Sequence, residues 1–224
     1  FSLTSNHVLH ENGTILKYIG DAVFAVWGAP LEDPQQANNA IKAALGIIES
    51  TRDKKVYGHP LRTRIGISSG SCLAGNLGSD LRFDYTVIGD EVNMASRLEG
   101  LNKYMGTDIV VSETTARQVS DLYKVRLMGR FLFVGKEKAV EVYEILGESK
   151  GKEPEPEWQT IYSEGLSLFS QKKFDEAKNC FQKTIDIRPE GDGPSEFILN
   201  QIDQLSNGND LPKNWSGEII LTDK

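Results

Sequence analysis

Residues 14–27 read Thr14-Ile15-Leu16-Lys17-Tyr18-Ile19-Gly20-Asp21-Ala22-Val23-Phe24-Ala25-Val26-Trp27. Two short apolar runs meet at Gly20-Asp21, the pattern of a hairpin with a glycine in its turn. In the first run Lys17 and Ile19 share one face and Tyr18 takes the other, because side chains alternate along a strand. The reversal at Gly20 puts Asp21 at the hairpin tip. A carboxylate there is free to bind Mg²⁺, with a nucleotide's phosphates as further ligands. Taken alone, an Asp after Gly is ordinarily turn chemistry and nothing more.

Working outward, Leu3 to His10 reads as the end of a helix stopped near Asn12-Gly13. Pro34 to Ser50 carries Ala37, Ala40, Ile41, Ala44, Leu45 and Ile48 at helical spacing. Leu61 to Ser68 is strand-like, and Gly70 to Gly78 reads as a glycine-rich loop. Tyr85 to Ile88 is a short strand, Glu91 to Leu101 a helix, Ile109 to Ser112 a strand and Glu113 to Val119 a helix. Arg126 to Phe133 and Ala139 to Leu146 complete the region as two antiparallel strands. Helices and strands alternate, but hairpins interrupt the alternation. That favours an α+β sandwich over a doubly wound sheet.

Beyond residue 147 the character changes. Residues 148–156 are charged and rich in Pro and Gly, and read as a linker. Residues 157–206 read as helices. The order Trp158, Tyr162, Gly165, Leu166, Phe169, Phe174, Ala177, Phe181, Ile185, Pro189 is similar to one tetratricopeptide repeat, with a third helix from Ser195 to Leu205. One repeat cannot bury its own apolar face, so this extension is expected to dock on something, as a brace in preference to a partner-binding array. Residues 207–224 form a tail.

A second chemical constellation is Tyr85-Thr86-Val87-Ile88-Gly89-Asp90-Glu91-Val92-Asn93-Met94-Ala95-Ser96-Arg97. Gly89 ends a strand, and Asp90 is placed to cap the helix that follows. Asn93 and Arg97, four apart, lie on one helix face. An amide above a guanidinium suits a ribose and a phosphate charge, although the pair also fits a solvated face. Met94 and Leu98 are expected in the core.

Together these segments resemble the class III adenylate and guanylate cyclase catalytic domain, from about Leu3 to Leu146. Gly13 to Val23 through Trp27-Gly28-Ala29-Pro30, then Arg64-Ile65-Gly66-Ile67 with Gly70, then Ile88 to Glu99 follow that family's order and spacing. The resemblance implies a ferredoxin-like, palm-type α/β sandwich lacking its first strand, followed by a small helical extension. It implies that Asp21 is a metal ligand and that Lys17 reads the adenine ring, with Thr86 at its base-recognising partner's position. It also implies that Asn93 orients the ribose and that Arg97 stabilises the transition state. The implied cofactor is Mg²⁺ or Mn²⁺, two ions per site. The implied partners are ATP and a second copy of the chain, the sites lying at a head-to-tail dimer interface. Lys17 only donates, which suits the ring N1 acceptor of adenine, and Thr86 can accept from the exocyclic amine. Guanine would call for an acidic group in place of Lys17.

Two departures accompany the resemblance. The family's first strand, with its first metal Asp, precedes the stretch that begins at Leu3, and Asp33, Asp53, Asp80 and Asp84 do not match it by motif. The family's triphosphate lysine falls at Val134, leaving Lys136 as the nearby candidate for the phosphates. The chain as it stands is therefore expected to turn over little. A guanylate cyclase, or a catalytically silent dimerisation module, is the alternative reading.

Composition narrows the rest. A net charge of −7 disfavours a nucleic-acid partner. The two cysteines, Cys72 and Cys180, form no metal spacing or disulfide framework, which points to a reducing compartment. No run is long enough to span a membrane. Phe1 is not an initiator Met, and the chain reads as part of a longer protein in which membrane anchoring stays open. The tail Trp215 to Lys224 is similar to the ends of bacterial cyclases with a membrane-anchored sensor, which implies a cytoplasmic position.

Overall fold

The computed structural model describes residues 1–79, 81–151, 154–206, 211 and 215–221. Asp80, Lys152 and Glu153 of the linker, and most of the tail up to residue 214 together with 222–224, lie outside the described residues.

Helix α1 (Ser2–His10) ends where Asn12 turns left-handed, and the Gly13 amide closes back on the Val8 carbonyl at 2.8 Å. Strands β1 (Thr14–Ile19) and β2 (Ala22–Val26) form the expected hairpin. Gly20 sits at φ +60 in its turn, a conformation that costs an L side chain and not a glycine. Helix α2 (Gln36–Thr51) follows, with Ala37, Ala40, Ile41, Ala44 and Ile47 on its buried face. A minimal ribbon of β3 (Lys55–Val56) and β4 (His59–Pro60) precedes β5 (Ile65–Ile67), which is shorter than the Leu61–Ser68 strand expected.

The glycine-rich stretch is not a loop. β6 (Leu73–Ser79) pairs antiparallel with β7 (Arg82–Ile88) along its whole length. Glycines signal a loop by local propensity, but cross-strand pairing overrides that preference here. Helix α3 (Asp90–Met105) comes next, then β8 (Ile109–Ser112) and α4 (Glu113–Val119). Strands β9 (Tyr123–Leu132) and β10 (Val140–Glu148) form a long antiparallel pair. Three helices follow: α5 (Glu157–Ser170), α6 (Phe174–Ile187) and α7 (Gly193–Ser206). The tail supplies β11 (Glu218–Ile220).

The main sheet has the order β11-β9-β10-β8-β5, with β5 parallel to β8 and β11 parallel to β9. Alternation along β8 divides its side chains between two layers. Ile109 and Val111 join the core under α2 and α4, with Ala116, Val119 and Tyr123. Val110 faces the other way, into a core shared by α3 and the C-terminal helices, with Leu98, Met105, Phe131, Phe169 and Ile198. The expected α+β sandwich is what the chain forms. The C-terminal helices bury their apolar faces on the sheet and on α3: Tyr162 donates to the Met128 carbonyl at 2.7 Å, and Trp215 of the tail stacks edge-on against Phe169.

Candidate active site

The β1–β2 hairpin pairs Lys17 with Phe24, Tyr18 with Val23 and Ile19 with Ala22, with a bulge between Ile15 and Lys17. Tyr18 is held against α1: its hydroxyl lies 2.9 Å from Ser5 Oγ, and its ring meets Phe1 edge-on. Alternation then gives Lys17 the opposite face, where it is exposed. Asp21 is exposed at the tip.

Thr86, half-buried on β7, pairs across the ribbon with Gly75, beside which a side chain would meet only open space. Local propensity at residues 70–78 favours a loop and hides this partner. The glycine leaves the approach to Thr86 clear.

Helix α3 begins at Asp90, and the capping position falls to Gly89, which has no side-chain acceptor to offer. Local sequence favours Asp90 as the cap. Its carboxylate instead lies 3.2 Å from Lys136 Nζ. Lys136 stands in the turn after β9, where its amide bonds to the Phe133 carbonyl at 3.0 Å. The structure thus brings Lys136 to the N-terminal end of α3. Asn93 is exposed and Arg97 half-buried, four residues apart on the helix, while Met94 and Leu98 are buried as expected. Among the described residues, Arg97 Nη1 is the buried side-chain nitrogen without a hydrogen-bond partner. A buried donor left unmade is costly, so such a group calls for an acceptor.

The helix itself is firmly seated. Arg64 Nε donates to Glu99 at 3.0 Å, and Asn102 donates to the Ile65 carbonyl at 3.0 Å. Between the hairpin and α3 lies a cleft of about 260 Å³. Phe24 to Ala29 line one wall, and Gly66 to Ser68 with Val92 and Ala95 line the other. The hairpin is not hydrogen-bonded to the main sheet, whose edge on this side is β5. Lys17 and Asp21 therefore stand on one ribbon, Thr86 on another, and Asn93, Arg97 and Lys136 around α3.

Among the described residues no group of three or more His, Cys, Asp or Glu side chains is placed to hold a metal ion. Asp21 alone fits the habit of Mg²⁺, which takes one or two carboxylates together with substrate phosphates, and not a cage built from protein alone.

Residues 4–147 match the family described as Adenylate and Guanylate cyclase catalytic domain. The chain is 39% identical over 152 residues to adenylate cyclase 1 of Rhizobium meliloti (strain 1021), covering 66% of this chain and 23% of that protein. It is 32% identical over 210 residues to the terminal-differentiation specific adenylate cyclase of Dictyostelium discoideum, covering 90% of this chain and 10% of that protein. The second match is too long to stop at residue 147, so it includes part of the C-terminal helices. The chain thus spans a quarter or less of these relatives. Among solved structures it is similar to the adenylyl cyclase CyaB from P. aeruginosa, with a TM-score of 0.59 and 29% identity, over 67% of this chain and 80% of that one. It is also similar to the guanylate cyclase domain of RhGC from Catenaria anguillulae in complex with GTP. There the TM-score is 0.57 and the identity 28%, over 65% of this chain and 79% of that one.

Proposed function

Since the chain belongs to the adenylate and guanylate cyclase catalytic-domain family and shares its palm-type fold, we propose that it is the catalytic part of an adenylate cyclase. The reaction is conversion of ATP to 3′,5′-cyclic AMP and pyrophosphate. The observation that carries this reading is the buried, unpartnered Arg97 Nη1 on the helix face that also bears Asn93. A guanidinium with an unused donor is the group that a phosphoryl oxygen gathering negative charge requires.

In this reading Lys17 donates to the adenine N1 and Thr86 accepts from the exocyclic amine. Asn93 orients the ribose so that its 3′-hydroxyl lines up with the α-phosphate. Arg97 offsets the charge that grows there as pyrophosphate leaves. Lys136, already held beside Asp90, exchanges that exposed pairing for the triphosphate. Cyclase domains of this family generally use divalent metals. Asp21 would hold Mg²⁺ or Mn²⁺, two ions per site being completed by a second Asp on the family's first strand. When bound, the metal supplies activation of the attacking hydroxyl and neutralisation of the leaving phosphates. The gap between β2 and β5, walled by Phe24–Ala29 and Gly66–Ser68, suits a strand that would tie the hairpin to the main sheet.

A homodimer supports the same chemistry. The β6–β7 ribbon exposes Leu73, Phe83 and Ile88, large apolar groups that a partner surface would cover. With Lys17 and Asp21 on the hairpin and Asn93 and Arg97 on α3, two copies set head to tail would complete each site from both chains. Among the described residues no helix is long and apolar enough to cross a membrane. The resemblance of the tail to bacterial sensor cyclases supports a cytoplasmic position.

The guanylate cyclase reading is favoured by the similarity to a cyclase domain solved with GTP, and Lys17 opposes it. The deciding experiment is turnover of ATP and of GTP with Mn²⁺ by the chain joined at its N-terminus to the family's first strand. Cyclic AMP in excess supports the proposal. Cyclic GMP in excess reassigns the substrate to GTP, and no cyclic product from either nucleotide overturns the enzyme reading.

A further inference from the structure

Among the described residues, the fully buried charged side chains Arg126 and Asp192 lie away from the cleft, where the C-terminal helices meet the sheet. Arg126 of β9 is 1% exposed. Its Nε donates to Glu144 at 2.9 Å and its Nη1 to Asp192 at 2.6 Å. Burial opposes its charge, but the Glu144 and Asp192 carboxylates outweigh that and raise the pKa, so the guanidinium stays protonated. The Trp158 ring is stacked by Arg126 at 5.0 Å and by Arg188 at 4.5 Å, and Arg188 also donates to Asp192 at 2.9 Å.

Asp192 is the hub. One carboxylate oxygen takes the two arginines. The other accepts from the amide and the hydroxyl of Ser195, at 3.2 and 2.6 Å, which is the geometry of an N-cap on α7. The next residue, Gly193, approaches α3 so closely that an added Cβ would lie 1.9 Å from the Met105 carbonyl oxygen. Further along α7, Ile198 and Ile202 are fully buried in one core with Met94, Leu98, Leu101 and Met105 of α3.

These contacts form one continuous path: sheet, Arg126, Asp192, the start of α7, then α3. We infer that Asp192 is a positioning residue for α3, fixing α7 against the helix that carries Asn93 and Arg97. The extension is then part of what aligns the site, and not only a brace for the fold. The statement about α3 stands on contacts alone; its consequence for turnover rests on the cyclase reading above.

The test is amide hydrogen exchange on the 224-residue chain. Asp192→Ala is compared with Phe181→Leu, a core-loosening change beside Gly165 that shares the α3–α7 core but touches none of the Asp192 hydrogen bonds. Rates are read after correction for each variant's global stability. The expected result is at least about tenfold faster exchange at residues 98–105 in Asp192→Ala, with no such selective change in Phe181→Leu. Equal change at α3 in the two variants overturns the inference. Should Asp192→Ala not fold, Asp192→Asn keeps an acceptor for Ser195 and drops the charge. It is expected to show the same selective loosening in smaller degree, and its absence is equally fatal. A loosened α3 in a protein whose wild type makes no cyclic nucleotide would leave the positioning role standing and remove the cyclase reading alone.

Discussion

Gly66 of β5 lies so close to Ala95 of α3 that an added Cβ would sit 2.1 Å from the Ala95 carbonyl oxygen and 2.3 Å from the Glu99 amide nitrogen. Backbone meets backbone at this crossing, so no side chain can swing aside to make room. Gly66→Val is therefore expected to destabilise the chain by about 3 kcal/mol, the upper part of the usual overpacking range. Gly75→Val, where the added group meets open space, is expected to stay within about 0.5 kcal/mol of wild type, apart from any strand-propensity gain. Urea unfolding of the two variants checks both figures.

Arg97→Ala is expected to lower kcat for cyclic AMP formation by about 10²–10³-fold, the usual cost of one donor aimed at developing charge. The KM for ATP should change little, because the proposed contact would form chiefly in the transition state. Arg97→Lys should recover little of the loss, since an ammonium cannot reproduce the planar fork. Steady-state kinetics on the upstream-extended chain reads all three outcomes. A KM effect larger than the kcat effect would reassign Arg97 to ground-state binding.

Lys17→Glu reverses the hydrogen-bonding sense of the proposed base-reading position. An acceptor at that point repels adenine N1 and suits the protonated ring nitrogen of guanine. The ratio of kcat/KM for ATP over GTP is expected to fall by about 10–100-fold, the scale of one hydrogen bond to a charged group. An unchanged ratio would show that Lys17 does not touch the base.

Glu218 gives the tail a pH dependence. Burial works to raise its pKa, but hydrogen bonds from the Ser216 amide and hydroxyl, with Arg130 at 3.4 Å, hold it below the usual value of 4.5. A carboxyl depressed in the folded state contributes stability that is present above its unfolded pKa and lost as pH falls through the folded value. Hydrogen exchange at Ile219 and Ile220, which pair with Phe131 and Leu132, is therefore expected to show loosening of β11 as the pH drops below about 4. The loss should be absent in Glu218→Gln, which is already loosened at neutral pH.

Much of this was legible in the chain. The hairpin around Gly20, the strand Ile109–Ser112 and the helix Glu113–Val119 follow from alternation, periodicity and local caps, all of which act within a few residues. The pattern Gly89 to Arg97 put Asn93 and Arg97 on one face because helix geometry alone dictates it. The β6 strand was not legible: its glycines have no side-chain pattern to read, and its pairing with β7 is what defines it. Nor was the true role of Asp90, since capping propensity is local whereas Lys136 arrives from a turn more than forty residues away.

The sequence by itself determined which residue types stand at the hairpin tip and along α3, and hence which chemistry the chain can offer. Tertiary structure alone decided how those groups are held. It paired Gly75 with Thr86, brought Lys136 to the start of α3, and buried Arg126 between Glu144 and Asp192. The reason is physical. Residue identity and local period fix donors, acceptors and faces, but burial and long-range pairing depend on which surfaces the folded chain brings together. The partners of those contacts stand from 11 to 66 residues apart, beyond the reach of a local cap or a single helical turn.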